Sequence, residues 1–67
     1  MIDARGLSCP IPVVMVQKEV RKSAPAELTV LVDNRVAVEN ITRFAASQRY
    51  AVTVAEEGGE FTLTLRR

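Results

Sequence analysis

A chain of 67 residues, 48% of them hydrophobic, is sized for one small globular domain rather than a disordered segment. Nine basic residues against eight acidic ones leave a formal net charge of +1, a field too weak to mark a nucleic-acid or anionic-membrane partner. One cysteine and no histidine exclude the usual zinc sites, the Cys–His nucleophile pair and an intrachain disulfide, so no metal or cofactor is expected and a reducing, cytoplasmic setting is.

The elements read in the order strand, helix, strand, helix, strand, strand. Ile2 to Ala4 is a short first strand, with no apolar signal-peptide core around it. A helix is predicted from Pro10 to about Lys22, since proline suits the first helical position, where a missing N–H costs nothing. Ile11, Val14 and Met15 share one face of it, continued by Lys18, and Val13, Val16 and Val20 form a neighbouring stripe. Arg21 and Lys22 suit the negative end of the helix dipole, and Ser23-Ala24-Pro25 ends the helix. Glu27 to Val32 is a strand with Leu28, Val30 and Val32 on one face. Asp33-Asn34 then supplies a turn and a helix cap, with Asn34 the expected N-cap. The second helix runs to about Gln48 along Ala37, Ile41, Phe44 and Ala45.

Gly58-Gly59 signals a two-residue hairpin turn. Folding about it sets Val54 opposite Leu63, Val52 opposite Leu65, Ala55 opposite Thr62 and Thr53 opposite Thr64. One face of the hairpin is therefore apolar and the other mostly threonine, the pattern of a sheet covered by helices on one side only. The expected architecture is a two-layer α/β sandwich of the α+β class.

The chemistry centres on Cys9. It stands between the glycine turn at Gly6 and a helix whose start carries Pro10 and Pro12. Pro10 pushes its predecessor into the extended geometry an N-cap residue adopts. Pro10 and Pro12 have no N–H, whereas Ile11 and Val13 do and are expected to aim theirs at the sulfur. Helix-terminus effects of up to about 2 kcal/mol in partly buried sites favour the thiolate, the reactive form of cysteine. Arg5 is a further candidate support for that charge. In open α/β sheets, sites form beyond the carboxyl ends of the strands. If the strands are parallel, the loop carrying Cys9, the loop Asp33 to Arg35 and the Gly58-Gly59 tip share one end. Against this stands the habit of a lone cysteine to be an inert core residue; the glycine turn, the two prolines and the helix start outweigh it.

The run Asp3, Gly6, Leu7, Cys9, Pro10, Pro12 resembles the signature of the TusA/SirA/YedF family of small sulfur carriers, whose core motif is Cys-Pro-x-Pro. The resemblance covers essentially the whole chain as a single TusA-like domain, residues 1–67. The stretch Val32 to Asn40 is most similar to the N-terminal domain of YedF-type proteins linked to selenium metabolism. The resemblance implies a βαβαββ fold: a mixed four-stranded sheet, its last strand antiparallel to the others, with two helices on one face. It implies that Cys9 accepts sulfur, or selenium, as a persulfide and relays it without a cofactor. The implied partners are a cysteine desulfurase-type donor and a downstream acceptor protein, in a relay that supports tRNA thiolation. YedF-type proteins in their longer forms carry a second domain absent from these 67 residues, and the sequence leaves open whether the chain is whole.

Lys18 resembles a lysine that recurs in the family, with a plain surface role as its alternative. Lys18, Asp33, Asn34 and Arg35 are candidate partner contacts beside their local structural roles. Glu56, Glu57 and Glu60 make an acidic tip, by default a solvated one. The competing function is a non-catalytic interaction or regulatory module that uses the Cys9 loop as a docking site. RNA binding is the weakest alternative, because the chain has no basic stripe and few aromatics.

Overall fold

The computed structural model describes residues 2–7 and 11–67; Met1, Ser8, Cys9 and Pro10 fall outside it, and with them the predicted helix start at Pro10 and N-cap at Cys9. The elements are β1 (Ile2–Asp3), α1 (Ile11–Ser23), β2 (Glu27–Val32), α2 (Arg35–Ser47), β3 (Ala51–Glu57) and β4 (Glu60–Arg66). The sheet order is β1-β2-β4-β3. β1 and β2 are parallel, and β4 lies antiparallel between β2 and β3. The carboxyl ends of β1, β2 and β3 therefore point the same way.

Period-two alternation decides which face of the sheet is wet. Leu28, Val30 and Val32 of β2 and Phe61, Leu63 and Leu65 of β4 are buried, while the residues between them are at least partly exposed. They form one core with Val16 and Val20 of α1 and Ala37, Val38, Ile41 and Ala45 of α2. Both helices thus cover the same face. The hairpin register is the predicted one, Val54 against Leu63 and Val52 against Leu65. Gly58 and Gly59 have φ of 59° and 82°, the positive values at both central positions that a type I′ turn requires and glycine supplies without strain.

Of the two neighbouring stripes of α1, the structure buries Val16 and Val20, together with Pro12, while Ile11 is 46% exposed. The apolar run from Ile11 to Val16 has no polar residue to mark the outer side, so periodicity could not choose the face. Pro12 is fully buried, which makes it a core residue as well as a shaper of the helix start. The hairpin's apolar face is also less covered than predicted. On β3 only Val52 is half-buried, and Val54 is 43% exposed, because two helices do not span the width of four strands.

The helix ends are built with side chains and left-handed residues. Asn34 has extended backbone, and its Oδ1 accepts the Ala37 N–H at 2.8 Å, satisfying one of the free donors of the first turn. At the other end of α2, Tyr50 N–H reaches the Ala45 carbonyl (2.9 Å) and Arg49 N–H the Ala46 carbonyl (3.1 Å). That is a Schellman closure with Arg49 at φ 66° in the position usually held by glycine. The Tyr50 ring is buried, and its hydroxyl donates to the Pro25 carbonyl at 2.7 Å, fastening the loop before β2 to the start of β3. Tyr50→Phe is expected to cost about 1 kcal/mol through this bond. In a domain of this size that lowers Tm by about 4–8 °C, readable in a thermal melt.

Candidate functional site at the carboxyl ends of the strands

The predicted convergence of loops is observed. The backbone N–H of Gly6 donates to Asp33 Oδ2 at 2.8 Å, tying the loop after β1 to the loop after β2 across 27 residues of sequence. Gly6 has φ 77°, a conformation in which a side chain would be strained. Arg5 forms a forked pair with Asp3, Nε to Oδ1 at 2.9 Å and Nη2 to Oδ2 at 2.8 Å, the geometry that suits guanidinium to carboxylate. Its Nη1 also lies 3.4 Å from both carboxylate oxygens of Glu60. The hairpin tip is thereby drawn to the same end of the sheet.

This geometry gives Arg5 a bracketing role. Its charge is engaged by Asp3 and Glu60, two residues that sequence reasoning did not assign to the site. The Asp3-x-Arg5 spacing hinted at the first contact; nothing local signals the second, 55 positions away. Hydrogen bonding from Arg5 pulls the Asp3 carboxyl down to about 2, and Asp3 in return holds the Arg5 guanidinium more firmly protonated. A depressed folded-state value stabilises the bracket above the ordinary carboxylate range near pH 4, and that contribution fades as pH falls toward 2. An NMR titration of the Asp3 carboxyl carbon should find its midpoint well below 3 in the native chain and near 4 in Arg5→Ala; coincident midpoints would dismiss the bracket.

Of the other predicted residues, Asn34 caps α2 beside Asp33, and Arg35 sits with its guanidinium carbon 5.6 Å from the Phe61 ring centroid. Ile11 is exposed and Val13 half-buried at the start of α1, whose first turn holds no acidic residue. Val13 also lines a groove of about 420 Å³ between the helices, with Gln17, Asn40, Arg43, Phe44 and Ser47. Lys18 is not part of the loop cluster. It lines a separate depression beside β1 with Ile2, Met15, Glu19 and Lys22. No cluster of three potential metal-ligating side chains occurs among the described residues. No helix among them is long and apolar enough to cross a membrane.

A small mixed sheet under two helices, with its loops braced around one glycine turn that leads to Cys-Pro-x-Pro, defines a class of compact two-layer α+β domains. Residues 1–67 match the family described as Sulfurtransferase TusA. A Methanocaldococcus jannaschii protein named "Putative sulfur carrier protein" is 40% identical over 57 residues, spanning 84% of this chain and 76% of the relative. The crystal structure of a SirA-like protein from Desulfitobacterium hafniense superposes with a TM-score of 0.84 at 33% identity, covering 96% of this chain and 90% of the other. The chain belongs to the TusA/SirA-like sulfur carrier family.

Proposed function

We propose that Cys9 carries sulfur as a persulfide, taking it from a cysteine desulfurase-type donor and handing it to a downstream acceptor protein. The observation that carries this reading is the bracing of the turn before the thiol: Gly6 is held by Asp33, and Arg5 by Asp3 and Glu60. Chain connectivity keeps Cys9 within two residue lengths of both Leu7 and Ile11. The first N–H groups of a helix have no intrahelical partner, and the first turn of α1 carries no carboxylate that would oppose an anion there. Proline fixes φ; Pro12, buried in the first turn of α1, and Pro10, before it in the sequence, are the thiol-supporting residues of this reading. Asp33, Asn34 and Arg35 rim the same end and serve as partner contacts, while Lys18 offers a contact on a neighbouring surface.

The transfer needs neither general base nor metal. The Cys9 thiolate attacks the outer sulfur of the donor's persulfide, the donor's sulfur–sulfur bond breaks, and the donor cysteine leaves as thiolate. The acceptor's nucleophile later attacks the outer sulfur on Cys9, and Cys9 leaves as thiolate. Electrons balance at each step without an external oxidant, and a thiol with pKa near ambient pH suits both halves. Selenium can ride the same atom, and support of tRNA thiolation is the corresponding sulfur output.

Incubation with a cysteine desulfurase and cysteine is expected to add one sulfur mass to the Cys9 peptide by mass spectrometry, and Cys9→Ser to abolish the addition. Partner binding that persists unchanged in Cys9→Ser, with no persulfide on the wild-type chain, would instead establish a docking module.

A further inference from the structure

We infer that β3 is a self-pairing edge and that the chain forms a two-fold dimer through it, the two four-stranded sheets joining into one of eight strands. Edge strands in soluble proteins are usually blunted by charged side chains, lysine above all, or by proline, a bulge or a covering loop; β3 carries charge only at its tip end, in Glu56 and Glu57. β3, Ala-Val-Thr-Val-Ala-Glu-Glu, has neither lysine nor proline, and its pairing with β4 is one-to-one over all seven positions, without a bulge. Every residue of it except Val52 is exposed.

The register of such a pair follows from the hairpin. Glu57 and Glu60 flank a two-residue turn, so they form a hydrogen-bonded pair, and the pattern alternates from there. Ala51, Thr53, Ala55 and Glu57 turn their backbone groups toward β4. Val52, Val54 and Glu56 turn theirs toward the open edge. Antiparallel pairing about an axis at Val54 then sets Val54 against its copy and Val52 against Glu56 of the second copy, with about six new backbone hydrogen bonds. The two Val54 side chains, each 43% exposed in the single chain, would meet across the axis.

Charge selects this arrangement. The tip end of β3 carries Glu56 and Glu57, which make no ion pair among the described residues. Glu57 also faces the like charge of Glu60, an unfavourable cross-strand neighbour. At the opposite end Arg49 precedes β3 and carries the positive charge, while Arg66, in register with Ala51, is already engaged by Glu27 at 2.6 Å. Antiparallel pairing lays Glu57 of each copy against Ala51 of the other, one strand from Arg66 and two residues from Arg49. Parallel pairing would set acid against acid. The dimer also sends the two carrier loops to opposite ends of the joined sheet, so neither blocks access to the other.

Sedimentation equilibrium from about 10 μM to 1 mM is expected to show the mass doubling, since a pairing this small makes a weak dimer. Hydrogen exchange at the high end should slow at the amides of Val52, Val54 and Glu56 and leave other edges unchanged. Val54→Lys is expected to weaken association at least about tenfold while leaving the Tm at about 10 μM, where the chain is monomeric, nearly unchanged. High salt should weaken it as well. A monomer throughout the range would overturn the inference. So would a dimer indifferent to Val54→Lys, or one whose protected amides lie elsewhere.

Discussion

Leu63→Ala is expected to unfold a large share of the chain at room temperature. Leu63 is fully buried on β4, between Val30 of β2 and Val54 of β3. Truncating a buried leucine costs about 2–5 kcal/mol, because transfer energy is lost and a cavity remains. A domain of this length holds only about 3–10 kcal/mol in all, and small domains have little core to absorb the loss. Val54→Ala sits on the same row one strand over but is 43% exposed, and its cost should stay below about 1 kcal/mol. Urea denaturation of the pair checks both the size of the gap and the claim that the helices cover β4 but not β3. Equal losses would mean the inner face of β3 is as covered as that of β4.

The contrast within one row also shows what the sequence could and could not reveal. Alternation and the Gly58-Gly59 turn are local signals, and they placed β2 at Glu27–Val32 and the hairpin in its observed register. Asn34 was readable as a cap because its side chain acts three residues away. Coverage is a different matter. Whether Val54 is buried depends on how far two helices reach across four strands, and no residue near Val54 records that. The face of α1 was hidden for a related reason: six apolar residues from Ile11 to Val16 give a period nothing to contrast with. The left-handed Arg49 that closes α2 carries no glycine signal at all. At the site, the glycine turn and the converging loops were legible. The Arg5–Glu60 contact was not, since it joins residues 55 positions apart and exists only once the sheet order brings β4 alongside β2.

Asp33→Ala is expected to slow desulfurase-dependent loading of Cys9 while leaving the fold in place. Asp33 is exposed and packs no core, so global stability should fall by no more than about 1 kcal/mol. Its carboxylate nevertheless accepts the Gly6 N–H at 2.8 Å, a charge-assisted bond between two loops that the sheet alone does not join. Without it, Gly6, which as a glycine is free to leave its φ of 77°, has one restraint fewer, and the turn leading to the thiol samples more conformations. A bond worth about 1 kcal/mol translates to roughly fivefold in the population of the competent loop, and loading should drop by about that factor. Asp33→Asn separates geometry from charge. It keeps an acceptor oxygen at the same position and should recover most of the rate if the bond's function is to hold the turn. If Asn behaves like Ala, the negative charge itself is what the partner reads. Wild-type loading by both variants would remove the loop tie from the mechanism.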